Sequence, residues 1–412
     1  MGKCPIMLDP EGRDIHAEAA RIRAEGPVTL VEVPGGYRAW CVTTYDVGKK
    51  LLSGDQLSKN AKEDWPPFVR GEVPHDWELI TWVAMDNLTV RDGADHDRLR
   101  KLVSHAFTPR EVEKARPRVE SIVRRLLDDM EATTRAGETV DIKGQFTYAL
   151  TATLICDLFG VPEEVRDEAL RGTKQNSLTN HTGEMAAANL DQWHDAMSKL
   201  AARRRQDPGD DLTSVLIAAN EDGETLSNEE LIGSLHVLLG AGSETLSNVL
   251  AHCIIDLSTH RDQLELIRSG QYTWMDAFDE AVRKDAAVAQ LPFRYAKEDI
   301  DIAGVHIAKG DLVLIAYAGI GRDPALHGDN ANDFDITRPD KTNLSFGHGE
   351  HYCLGRPLAT MQSMVALPAL FERFPDLTLA VPREELPPQG SFIMNGYDRV
   401  PMYLTAAVPA AA

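Results

Sequence analysis

Over most of its length the chain repeats apolar positions every three or four residues, the spacing of helices with one buried face. The stretch 14–26, DIHAEAARIRAEG, predicts an amphipathic helix closed by a glycine. The period then changes to two. Residues 28–44, VTLVEVPGGYRAWCVTT, read as a hairpin whose β-rich arms flank Pro34, Gly35 and Gly36. Residues 61–88 mix prolines with tryptophans and fit neither period, which predicts a long ordered loop of the kind that usually carries function. From about 96 to 270 nearly everything reads as helix.

One segment in that region, 226–260, is apolar on more than one face and therefore belongs in the protein's centre. Ser227 followed by Glu230 forms a capping box at its start, and the helix beyond runs for about 30 residues, or about 45 Å. Gly240 and Gly242 interrupt it, each at a cost of about 1 kcal/mol relative to alanine, so something there needs the backbone close or bent. After residue 290 the pattern alternates and carries turn glycines, predicting short strands over 291–320. A last amphipathic helix covers 355–375. No repeat or linker divides the sequence. The expectation is one domain over 1–412, mainly α with a minor β region.

Composition narrows the function. Apolar residues make up 43% and charged residues 26%, as in soluble globular proteins. A net charge of −21 argues against a nucleic-acid or anionic-membrane partner, both polyanions. Cys4, Cys41, Cys156, Cys253 and Cys353 are dispersed with no C-x-x-C, which reads as reduced thiols. No apolar run reaches the 18 residues of a membrane span and none at the N-terminus suits a signal peptide, so the expected location is the cytoplasm.

Residues 346–355, FGHGEHYCLG, bring together His348, His351 and Cys353. A structural zinc site needs four ligands, and the spacing matches no common zinc pattern. A glycine turn with incidental histidines would suffice if the motif stood alone. It does not. Phe346, Gly349, His351, Cys353 and Gly355 fit F-x-x-G-x-[HR]-x-C-x-G, and the segment resembles the haem-binding loop of the cytochrome P450 superfamily, the haem-thiolate monooxygenases. Four further motifs follow that superfamily's order: HDRLR (96–100), AGSET (241–245), EAVR (280–283) and Arg294 in LPFRYA. The fold this resemblance implies is mainly α, with a long central helix over haem b.

The resemblance also implies roles. Cys353 is the metal ligand, and a thiolate in that position pushes electron density onto iron and favours O–O cleavage. Phe346, Gly349 and Ala241 border the haem, while His96, Arg100, Arg294 and His351 face its propionates. Glu244 and Thr245 form the catalytic pair that delivers protons to bound oxygen. The bland alternative for Thr245 is a hydroxyl bonded back to the Ala241 carbonyl, a contact that bends helices. Glu280 and Arg283 are a structural pair in the superfamily, where spacing alone would suggest a surface ion pair.

Trp82, Val237, Leu238, Val288, Leu291, Phe392 and Ile393 fall where members line the substrate pocket. They imply a small-molecule substrate of medium size and mainly apolar character: a polyketide, steroid or peptide natural product, usually hydroxylated with O2. Electrons would come from ferredoxin and ferredoxin reductase, docking on the basic stretch 98–118 with Arg356. A rival within the superfamily is C–N or C–C coupling of an indole- or phenol-containing peptide, with Trp65, Trp77, Trp82, Asn180 and His181 as aromatic or polar contacts. A haem sensor or carrier without turnover is a third reading, opposed by the intact Glu244–Thr245 pair. Glu350 directly before His351, Gly321 where asparagine is common, and no proline after EAVR depart from the usual pattern.

Overall fold

The computed structural model describes residues 4–104, 107–135, 137–219 and 225–405. Its organising element is the helix Asn228–Thr259, 32 residues long and so about 48 Å end to end. The capping box is present: the Ser227 hydroxyl accepts from the Glu230 N–H, and the Glu230 carboxylate accepts from the Ser227 N–H at 2.8 Å. Helices Ala149–Leu158, Glu163–Asn176, Gly183–Gln206 and Trp274–Lys284 pack around it. From Leu231 to Ser258 every residue is buried except 237, 238, 240–242 and 245.

The two glycines are sites of close helix approach. A Cβ on Gly242 would stand 2.5 Å from Ile155 Cδ1, and one on Gly240 3.2 Å from the Trp193 ring. Three hydroxyls also reach carbonyls within this stretch: Ser243 donates to Leu239 O at 3.0 Å, Thr245 to Ala241 O at 2.7 Å, and Thr151 to Ser243 O at 2.7 Å. Extra donors on three alternate carbonyls compete with the helical ladder there, within a helix that stays continuous.

The β region lies to one side. Six strands run in the order Ile6–Met7, Val28–Val33, Tyr37–Val42, Leu312–Ile315, Leu291–Ala296, Leu57–Ser58. The hairpin pairs Val28 with Val42 through Val33 with Tyr37, as its alternation predicts. A smaller sheet joins Thr378–Leu379, Pro401–Tyr403 and Thr139–Asp141. The chain is thus mainly α with a minor β region, although Thr139–Asp141 and the widened turn Lys143–Tyr148 interrupt the stretch expected to be continuous helix. Among the described residues, no helix is long and apolar enough to cross a membrane.

Residues 61–88 differ from the predicted loop. They hold short helical turns at Ala61–Asp64, Pro66–Val69 and Thr81–Ala84. Packing sets them: Trp65 and Trp77 are each 2% exposed and cluster with Tyr37, Phe293 and Tyr295. Trp77 Nε1 donates to Pro34 O at 2.8 Å, and a Cβ on Gly35 would lie 2.5 Å from that nitrogen, so the hairpin turn needs its glycine.

Glu280 and Arg283 are both 0% exposed, and not the surface pair that spacing alone suggests. All five guanidinium N–H groups are used, on both Glu280 oxygens and on the carbonyls of Gly321, Ala331 and Asp333. Glu280 also accepts from the Asp335 N–H and Arg338. A Cβ on Gly321 would meet Arg283 O at 1.9 Å, which excludes the asparagine common at this position.

Candidate active site

Cys353 sits on a tight turn between the loop 341–348 and the helix Arg356–Arg373. Its N–H donates to Phe346 O at 2.8 Å, which folds the loop back under the sulfur. Gly349 takes φ +72°, and a Cβ there would strike Leu52 O at 2.4 Å, so no side chain fits. Burial pushes the Cys353 thiol up, opposed by the N–H groups of Gly355 and Arg356 and by the charges of Arg100 and Arg356. These N–H groups open an 18-residue helix, whose positive end therefore faces the sulfur. Gly355 itself has ordinary backbone geometry, with Cys353 Sγ 3.9 Å from a hypothetical Cβ.

Beside the turn lies a group of cationic and imidazole side chains. Arg100 donates to Tyr352 O at 2.8 Å, tying its helix to the cysteine turn. His96 is fully buried, and among the described residues neither ring nitrogen has a hydrogen-bond partner; the carboxylate of exposed Asp97 is 3.6 Å from Nδ1. The His351 ring lies 4.4 Å from that of His96, with Nε2 3.5 Å from Asp92. Arg294 is 7% exposed, close to the Tyr317 hydroxyl.

Lys59, which no motif marks, completes the group. It is 6% exposed and donates to Phe293 O at 2.8 Å. Burial, with help from Arg294, brings its ammonium down to about 7. Asp92 is the more buried of two carboxylates beside His351, the half-exposed Glu350 lying 3.5 Å from its Nε2, and Asp92 accepts from Ser58, the Lys59 N–H and His351. Cations in such excess in a buried place call for added anionic groups.

On the central helix, Val237, Leu238 and Thr245 are half-buried and Ala241 is exposed, although the residues on either side are buried. Positions 237, 241 and 245 are four apart and share a face, which therefore borders an internal space. A sulfur at a helix N-terminus, an apolar helical face, an orphaned imidazole and the cations beside it together fit a metal cofactor with an apolar body and acidic groups.

The family comparison decides what that group is. The sequence model of cytochrome P450 matches residues 84–201, 177–270 and 272–395. The chain belongs to the cytochrome P450 family. It is an oxidoreductase of the monooxygenase type, and the family's cofactor is haem b. The chain is 52% identical to the 2-hydroxy-5-methyl-1-naphthoate 7-hydroxylase of Streptomyces carzinostaticus, over 99% of this chain and 100% of that one. With the 6-deoxyerythronolide B hydroxylase of Saccharopolyspora erythraea it shares 37%, covering 95% and 96%. The solved structure of CYP154A1 from Streptomyces coelicolor superposes with a TM-score of 0.91 at 43% identity, over 97% and 100% of the two chains.

The P450 fold brings some of the expected pocket residues together and withdraws others. The segment 287–289 pairs with 393–395 through Ala289 N–H to Ile393 O at 2.7 Å and Asn395 N–H to Ala287 O at 2.8 Å. Val288, Leu291 and Trp82 keep exposed surface, whereas Phe392 and Ile393 have none and pack behind them. Trp65 and Trp77 are core. Asn180 is bound to Glu11, and His181 to Glu78 O. In the basic stretch 98–118, Lys114 and Arg116 are tied to Glu111 and Glu113, and Arg118 to Asp157. His105 and Ala106 of that stretch lie outside the described residues. Arg356 stacks over the Phe346 ring at 5.3 Å.

Proposed function

We propose that the protein hydroxylates a polyketide-derived aromatic acid of about the size of a substituted naphthoate. The observation that carries this reading is end-to-end identity of 52% with a naphthoate hydroxylase, in a chain that has Glu244 and Thr245 on its central helix, the Thr245 hydroxyl bonded to the Ala241 carbonyl.

When bound, haem supplies O2 activation at an iron whose thiolate ligand favours O–O cleavage. Cys353 is that ligand, held by the Gly349 turn and faced by the N–H groups of Gly355 and Arg356. His96, Arg100, Arg294 and His351 receive the propionates, and Lys59 adds a further cation. Phe346 lies against the sulfur side of the site and Ala241 against the other. Thr245 turns its hydroxyl toward the Ala241 carbonyl at the edge of the internal space, where it orients a proton donor, and Glu244 supplies the proton. Val237, Leu238, Val288, Leu291 and Trp82 enclose the substrate and exclude water, backed by Phe392 and Ile393. Glu280 and Arg283 hold the cysteine side of the fold and take no part in chemistry.

Electrons reach the site from a ferredoxin served by its reductase, docking near Arg356 and exposed Arg110. Several neighbouring bases are already paired within the chain, so the contact is modest and sensitive to salt.

The test is an absorption titration of the haem-loaded protein with 2-hydroxy-5-methyl-1-naphthoate, a macrolactone and a steroid. The reading predicts a ferric band that moves to shorter wavelength with the naphthoate at the lowest concentration. A stronger response to the steroid or the macrolactone would reject the aromatic acid.

A further inference from the structure

Glu244 has surroundings that no motif announces. It is 2% exposed, and its Oε2 accepts from Gln389 Nε2 at 3.2 Å. The same oxygen lies 3.9 Å from Nζ of Lys143, a lysine only 6% exposed. Lys143 donates to Tyr397 O at 2.6 Å and to Gln389 Oε1 at 3.2 Å. Asn248, one turn further along the central helix, donates to that amide oxygen at 2.9 Å. Two donors on Oε1 leave the Gln389 amide one orientation, with Nε2 toward Glu244. The loop carrying Gln389 is pressed onto the helix, since a Cβ on Gly396 would lie 2.5 Å from Asn248. Three separate elements thus converge on one carboxyl: the central helix, the turn Lys143–Tyr148 and the loop 389–397.

We propose that Lys143 and Gln389 are positioning residues for Glu244, Lys143 keeping its carboxyl ionisable in a dry site and Gln389 fixing its direction. The inference rests on the reading of Glu244 as proton donor given above.

The physical need is plain. A carboxyl out of water drifts toward its neutral form and an ammonium toward its own neutral form. Burial indeed raises Glu244 and lowers Lys143, and each opposes the other's shift. A carboxyl that cannot ionise does not release protons, and one that is always ionised has none to give. The other charged or titratable groups facing the pair are Lys174, Asp398, Asp141 and the Tyr148 hydroxyl. Lys174 and Asp398 are exposed and lie 3.9 Å apart, so water screens both. Lys143 is the buried cation of the set. Among the described residues no hydrogen bond joins Glu244 to Thr245, whose hydroxyl is engaged by Ala241; the holder alone sets the acid's direction in this state.

The experiment follows the Glu244 carboxyl by infrared titration of the haem-loaded protein, its band assigned by its loss in Glu244→Gln. The ratio of peroxide to product is measured in parallel. Lys143→Met should move the Glu244 titration to higher pH by about one unit or more. It should also raise the peroxide-to-product ratio roughly tenfold, and Lys143→Arg should restore both. Gln389→Ala should shift both readouts the same way by less, and it decides the matter if Lys143→Met does not fold. Variants that fold with the Glu244 titration unmoved would overturn the holder. If Glu244→Gln uncouples the enzyme while Lys143→Met and Gln389→Ala match the unaltered protein, the holder fails and the proton donor stands. If Glu244→Gln itself stays coupled, the donor reading fails, and with it the inference.

Discussion

The Thr245 hydroxyl donates to the carbonyl of Ala241 at 2.7 Å, and Ala241 is the exposed residue on a stretch of helix buried on both sides. A threonine whose hydroxyl competes for the helical ladder where the central helix is least covered joins two roles, bend and orientation of the proton donor. Thr245→Val keeps the shape and removes the hydroxyl. Product formation should fall roughly 100-fold, the lower end for a lost positioned proton transfer. Electron uptake should continue and appear as peroxide, measured against product, with substrate binding unchanged.

Cys353→Ser tests the ligand. Haem content and the thiolate signature of the ferrous carbon monoxide complex should be lost, while helical content by circular dichroism stays. The helix Arg356–Arg373 and the Gly349 turn do not depend on the sulfur for their hydrogen bonds.

Arg283→Met leaves the buried Glu280 carboxyl with part of its partners gone. Breaking such a pair costs about 3–5 kcal/mol, to be read as a lower denaturant midpoint. Arg70→Ala, which removes an exposed pair with Glu72, should leave that midpoint unmoved.

His252 gives the enzyme an acid-sensitive core. Its Nε2 donates to Asn395 O and its Nδ1 accepts from Arg383, so the neutral ring is the one that fits. Burial brings it down to about 4, against the pull of Asp285 and Asp256 and with the push of Arg383 and Lys284. Unfolded, the same ring titrates near 6.5. Between about pH 6.5 and 4 the unfolded chain therefore binds the extra proton, and stability rises with pH through that window. Acidification should remove up to about 3 kcal/mol from this group, levelling off below pH 4. His252→Gln should remove this group's share of the slope in denaturation measured from pH 7 to 4, while His16 and His351, which burial also brings to about 4, keep theirs.

The central helix was legible because its start is a local device, Ser227 and Glu230, and its burial is written in continuous apolar faces. The cysteine turn was legible because Gly349 must take a positive φ against Leu52, a demand that leaves a glycine in the sequence. The turns within 61–88 were not, since four-residue helices have no period and depend on Trp65 and Trp77 finding Tyr37 and Phe293. Lys59 and Lys143 look like surface lysines in LSKN and DIKG. Their burial depends on partners from distant segments, Phe293 for one and Gln389 for the other. Phe392 and Ile393 share a cluster with Val288 and Trp82, but only the fold shows their side chains turned into the core.

The most direct test of the central claim is turnover of 2-hydroxy-5-methyl-1-naphthoate by the haem-loaded enzyme with ferredoxin, ferredoxin reductase and isotopically labelled O2. The account predicts a product heavier by one labelled oxygen atom, formed by the unaltered protein and roughly 100-fold more slowly by Thr245→Val. Product without label, or a coupled dimer in place of a hydroxylated monomer, would contradict it.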